Sequence, residues 1–133
     1  MNREPKISVI MSVFNGSKFL ADAIQSILNQ TFKEFELIIV DDGSTDNSLN
    51  IIRSFESADS RIKVISKLNE GLAKSLNAAI SASQGDFIAR MDADDISYKN
   101  RLEKQHEYMQ KNKSIDSVSY THLRCRRNNR CRS

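Results

Sequence analysis

Residues 6–48 read KISVIMSVFNGSKFLADAIQSILNQTFKEFELIIVDDGSTDNS, and this stretch decides the fold. It opens with an apolar, β-branched run from Lys6 to Val13 and closes with a second from Phe35 to Asp41. Between them Phe19, Leu20, Ala23, Ile24, Ile27 and Leu28 recur at helical spacing. Short apolar runs bounded by turn residues read as buried strands, and a 3.6-residue recurrence offers one apolar stripe to a sheet. A strand, a helix and a strand in that order favour a parallel pair with a right-handed connection.

The alternation continues outward. Arg61 to Ser66 and Asp86 to Met91 read as two more strands. Leu49, Ile52 and Phe55 mark a second helix, Leu72, Leu76, Ala79 and Ile80 a third, and residues 99–112 a fourth. The order predicts an α/β domain with a mostly parallel sheet and helices packed against it. Asn15 or Ser17 is expected to cap the first helix and Ser44 the second, each through a side-chain oxygen that accepts an unpaired amide proton.

The 133 residues allow one domain, and 39% hydrophobic with 28% charged residues is ordinary soluble globular composition. No apolar run approaches the length of a membrane span, and the N-terminus lacks the pattern of a secretory leader. The net charge of +3 suggests nucleic acid until it is located. Residues 1–116 hold 15 basic and 17 acidic groups, so five arginines after Asp116 carry the excess. Cys125 and Cys131 also lie after Asp116, with only His122 near them, which is too few ligands for a zinc site. The body is therefore expected in the cytoplasm, without nucleic acid as a partner.

In an open parallel sheet, ligands bind outside the carboxyl ends of the strands. The polar residues fall there: Ser12, Phe14 and Asn15 after the first strand, Asp41 and Asp42 after the second, Asp92, Asp94 and Asp95 after the fourth. Gathered carboxylates repel one another unless a cation or hydrogen-bond donors hold them. Asp94, Asp92 or both are expected to hold Mg2+ or Mn2+, leaving positions for diphosphate oxygens. Residues 92–103 are not a calcium loop, because Ile96 and Ser97 stand where an oxygen ligand and a glycine are needed. The turn after the first strand matches neither a dinucleotide fingerprint nor a P-loop. His106, at helical spacing with Leu102 and Met109, is expected to pack and not to catalyse.

These ordered motifs resemble glycosyltransferase family 2. The stretch from Ile7 to Ser48 is similar to the family's opening strand, helix and second strand, and NEGLAKSLNAAISASQGDFIARMDADD (69–95) to its third helix, fourth strand and D-x-D segment. The resemblance covers residues 6–116. It implies a Rossmann-like GT-A fold, a three-layer α/β/α sandwich, here incomplete at the C-terminus. It further implies a nucleobase pocket lined by Ser12 and Phe14, with Asp42 accepting the base's imino proton, which favours a uridine-diphosphate sugar. Asn69, Gly71 and Lys74 would approach the donor, Lys74 as a cation toward phosphate. Asp92 would reach the ribose and Asp94 the metal, with Asp95 supporting the loop.

Family members are typically inverting, with a general base in the later half of the domain. No residue of this chain is assigned that role, and nothing after Asp116 resembles that half. Residues 117–133 read as a truncated or chimeric end, expected to be disordered; the rival reading is a natural basic tail that contacts membrane or nucleic acid. The leading expectation is a metal-dependent glycosyltransferase acting on a saccharide or lipid-linked saccharide in cell-envelope or capsule polysaccharide synthesis. Peripheral association with the cytoplasmic face of a membrane is compatible with it. The alternatives are a non-catalytic fragment that binds a nucleotide sugar, and a chain too incomplete to hold its fold.

Overall fold

The structure is a computed structural model that describes residues 4–111. The expectations for Cys125, Cys131, His122 and the segment 117–133 lie outside the described residues. The elements run β1 (Ile7–Val13), α1 (Ser17–Leu28), β2 (Phe35–Asp42), α2 (Ser48–Ala58), β3 (Ile62–Lys67), α3 (Leu72–Ala82), β4 (Phe87–Arg90) and α4 (Arg101–Lys111). The four strands form one sheet in the order β3-β2-β1-β4, every pair parallel. The register aligns Val13 with Asp41 and Asp42 with Lys67, so the acidic end of β2 lies level with the exits of β1 and β3.

Side chains alternate across a strand, and here the alternation sorts the core into two layers. Val9, Met11, Val13, Leu37, Ile39, Ala89 and Met91 face α1, α2 and α4, where they meet Leu20, Ile24, Ile27, Ile52 and Leu102. Ile10, Ile38 and Val40 face α3 and pack on Ala79 and Leu76. Leu37, Ile38, Ile39 and Val40 are all fully buried, which explains why β2 reads as an unbroken apolar run. Each such side chain contributes roughly 1.5–3 kcal/mol by leaving water.

At the amino end of the sheet, the face toward α3 is polar but paired. Ser8 Oγ donates to Glu36 Oε2 at 2.5 Å, the Gln84 N–H donates to the same oxygen at 2.7 Å, and Lys63 Nζ lies 2.8 Å from Glu36 Oε1. Burial pushes the Glu36 carboxyl up, but Lys63, Ser8 and the Gln84 N–H outweigh it and hold the group below its ordinary value. This buried carboxylate joins β1, β2, β3 and the turn before β4, far from the carboxyl ends where ligands are expected.

The helix caps differ from expectation. α1 begins after Gly16 and α2 after Asn47, and neither has a side-chain cap from its own flanking residue. The two N-termini instead converge on Asp46, which caps α2 locally and α1 from across the chain. Asp46 Oδ2 accepts from the Ser17 N–H and its Oδ1 from the Ser48 N–H, so one carboxylate serves the first residue of both helices. Asn15 and Ser44 bond each other's loops and neither caps a helix. Cap propensity identifies residues with a suitable acceptor; it does not say which helix end the fold brings to them.

Candidate functional site

Because successive residues point to opposite faces, Asp41 and Asp42 part company at the end of β2. Asp41 turns toward α1 and α2, where the Ser44 N–H donates weakly to its Oδ2 at 3.4 Å. Asp42 turns toward α3 and takes hold of the turn that starts that helix. Its Oδ1 accepts from the Glu70 N–H at 2.9 Å and its Oδ2 from the Gly71 N–H at 3.0 Å. Asn69 Nδ2 adds bonds to the Asp42 carbonyl at 2.9 Å and to Oδ2 at 3.3 Å, and Lys67 Nζ lies 3.6 Å from Oδ1. Burial raises the Asp42 carboxyl, but the two backbone N–H groups and Lys67 more than offset it, so Asp42 is held ionised below the usual carboxylate range.

The structure brings Asp42, Asn69 and Gly71 together, a contact that the separate roles expected for them did not specify. Gly71 sits at φ 103°, a conformation natural to glycine. Lys74 is exposed in the first turn of α3, on the helix whose N-terminus Asp42 anchors. Ser12 is half-buried in β1 opposite Val40 and shares its parity, so it faces the α3 side with Asp42. Phe14, one residue past the end of β1, is 53% exposed.

After β4 the chain turns through Asp92, Asp94 and Asp95, with the Asp95 N–H bonded to the Asp92 carbonyl at 3.1 Å. One carboxylate oxygen from each of the three lies within 4.8 Å of the others. Asp92 also pairs with Arg90 Nη2 at 3.4 Å. An all-oxygen set of this kind suits a hard divalent cation such as Mn2+ or Mg2+, and the convergence of three carboxylates is the observation on which that fit rests. Asp95, expected only to support the loop, stands in the cluster on equal terms.

The acidic loop is braced from behind by residues that the sequence reading did not single out. The buried guanidinium of Arg101 donates from Nη2 to the Arg90 carbonyl at 2.8 Å and from Nη1 to Ser97 Oγ at 3.0 Å, spanning both ends of the loop. Gln30, fully buried at the end of α1, accepts from the Leu102 N–H at 2.9 Å and donates to the Tyr98 carbonyl at 2.6 Å. A glutamine after an apolar stripe carries no signal of this; only the placement of the start of α4 beside residues 30–31 reveals it. Ala93 reaches the core, and a Cβ built on Gly16 would stand 3.9 Å from its own Cβ, so the acidic loop abuts the β1–α1 loop. His106 packs against Phe32 and Phe87 with ring centroids 4.8 and 5.6 Å away, in keeping with a packing role.

An open parallel sheet that gathers an aromatic, an anchored carboxylate and an acid triad at the carboxyl ends of its strands has the layout of the α/β domains that take their ligands at that edge. The chain belongs to glycosyl transferase family 2, whose sequence model matches residues 8–130. It is 48% identical over 120 residues to EpsE of Bacillus subtilis, an alignment that covers 89% of this chain and 43% of that protein. Among solved structures it is similar to TarS of S. aureus in complex with UDP-GlcNAc, with TM-score 0.74 and 31% identity over 80% of this chain and 31% of that one. It is also similar to glucosyl-3-phosphoglycerate synthase from Mycobacterium tuberculosis, in complex with Mn2+, UDP and glucosyl-3-phosphoglycerate, with TM-score 0.55 and 26% identity over 67% of this chain and 33% of that one. The fold is thus the GT-A fold of glycosyltransferases, and the chain spans less than half the length of these relatives.

Proposed function

We propose that this chain carries the donor site of a glycosyltransferase that uses a uridine-diphosphate sugar with a divalent cation. The observation that carries the reading is the convergence of the Asp92, Asp94 and Asp95 carboxylates within 4.8 Å, beside the loop that bears Phe14. Support for uridine comes from TarS and the mycobacterial synthase, crystallised with UDP-GlcNAc and UDP, and support for Mn2+ from the latter.

In this reading Phe14 stacks on the base and Ser12 lines its pocket. Asp42, ionised and anchored to the 69–71 turn, sets the pocket's polar wall, and would accept the base's imino proton in place of its long 3.3 Å bond from Asn69 Nδ2. Asp92 reaches the ribose and, with Asp94, the metal; Asp95 completes the set of oxygens. Asn69 and Gly71 form the edge that approaches the donor, and Lys74 offers a cation to phosphate. A bound Mn2+ or Mg2+ would neutralise the charge that builds on the departing diphosphate.

Transfer with inversion needs a general base opposite the leaving group, and none of the described residues is assigned that part. The acceptor is proposed to be a saccharide or lipid-linked saccharide of cell-envelope or capsule polysaccharide, met at the cytoplasmic face of the membrane. No helix among the described residues is long and apolar enough to cross a membrane. Competition among uridine, cytidine and guanosine diphosphates for the Mn2+-loaded chain tests the base assignment. Uridine diphosphate binding most tightly supports it; equal or tighter binding of either rival overturns it.

A further inference from the structure

The β1–α1 and β2–α2 loops lock together at Asn15. Its side-chain Oδ1 accepts from the Thr45 N–H at 2.7 Å, the Asp46 N–H at 3.2 Å and the Thr45 hydroxyl at 3.3 Å. Its own N–H donates to Ser44 Oγ at 2.9 Å. The next two residues continue the seam, the Gly16 N–H donating to Ser48 Oγ at 3.0 Å and the Ser17 N–H to Asp46 Oδ2 at 3.1 Å. Asn15 does this at φ 51°, in the left-handed region, where asparagine is tolerated and most side chains are strained.

The seam lies mostly at the surface. Exposed hydrogen bonds exchange with water and add little net stability, so their concentration on one residue in the left-handed region calls for another explanation. That residue immediately follows Phe14, which lies outside the buried core and is 53% exposed. We propose that Asn15 is a positioning residue for donor recognition: by clamping the β1–α1 loop to the β2–α2 loop, it fixes the Phe14 ring where the base stacks. Pre-ordering a platform removes an ordering cost from binding. The inference rests on the reading that Phe14 lines the base pocket.

The test is calorimetric titration of the full chain with uridine monophosphate in the presence of chelator, so that base contacts are read without the metal. Asn15→Gly keeps the left-handed backbone but loses the acceptor, and should bind about tenfold more weakly. Asn15→Asp keeps both features and should stay within about twofold. Ser44→Ala, which loses only the bond from the Asn15 N–H, should weaken binding in the same direction by a smaller factor, and it serves if Asn15→Gly does not fold. Ile27→Val, a core truncation at the far end of α1, should lower the melting temperature and leave the affinity unchanged.

Weakening in Ile27→Val equal to that in Asn15→Gly would make the effect one of stability alone and overturn the inference. If Phe14→Ala loses binding while Asn15→Gly and Ser44→Ala bind as the parent does, the clamp is wrong and the base pocket stands. If Phe14→Ala itself binds as the parent does, the base-pocket reading fails first.

Discussion

The carboxylate of Asp42 holds the backbone N–H of Gly71 at 3.0 Å, joining the end of β2 to the turn from which α3 starts. With the Glu70 N–H on the other oxygen, one side chain fixes two consecutive peptide groups at the edge of the proposed donor site. Asp42→Ala leaves both N–H groups without their acceptor and should cost about 1–3 kcal/mol for each that stays buried. The variant should also discriminate less between uridine and cytidine diphosphates. Urea unfolding checks the first effect and paired titrations the second; unchanged discrimination would confine Asp42 to holding the turn.

Gly43 packs against that same turn. It adopts φ 75°, and a Cβ there would stand 2.6 Å from the Asn69 backbone nitrogen, which must move to make room. Gly43→Ala should destabilise the chain by about 1–3 kcal/mol from backbone strain alone. It should also weaken uridine diphosphate through displacement of Asn69. A melting temperature equal to the parent's would contradict this packing.

The acids that hold the fold give it a defined acid limit. Glu36 and Asp42 have carboxyls held below their ordinary values, so their contribution is present in full above the unfolded-state values near about 4. It is lost as pH falls through the folded-state values. Asp46, bonded to Ser48 and to the Ser17 N–H, is lowered to about 2 and should be among the last to protonate. Urea midpoints should be level from pH 7 to about 5 and fall steeply below about 4. Glu36→Gln should lower the midpoint at neutral pH and flatten that fall; an unaltered slope would remove Glu36 from the acid transition.

Asp94 is the exposed member of the acid triad, and its substitution tests the metal separately from the base. Asp94→Ala should weaken Mn2+ binding at least about tenfold, since loss of a ligand exceeds the usual cost of losing an outer partner. Uridine monophosphate affinity in chelator should not change. Titration with Mn2+ alone, followed by electron paramagnetic resonance of the free ion, reads the first. Parent-like Mn2+ affinity would leave the metal on Asp92 and Asp95.

Much of this architecture is legible in the chain because period and burial coincide. Ile7 to Val13 and Phe35 to Asp42 are buried strands and read as such, and each helix shows its stripe. Asp42, Asn69 and Gly71 meet because they lie at the carboxyl ends of adjacent parallel strands, where topology brings loops together; the sequence placed the acids at that edge but not this contact. Contacts set by the relative placement of two loops were not legible. Nothing in Asp46 announces that it serves two helices, and Asn15 has the composition of a cap while bonding another segment. Arg101 sits in a helical pattern and Gln30 just past the end of α1, places where a polar residue reads as surface, yet both are buried behind the acidic loop.

The central claim is a metal-assisted uridine-diphosphate site, and calorimetric titration of the folded chain with uridine diphosphate tests it most directly. The titration is run with Mn2+ and again in excess chelator. The account predicts saturable binding with Mn2+ that weakens at least about tenfold in chelator, as the acid triad ceases to hold the cation against the diphosphate. Equal affinity in the two conditions, or no binding by a chain shown to be folded, would contradict it.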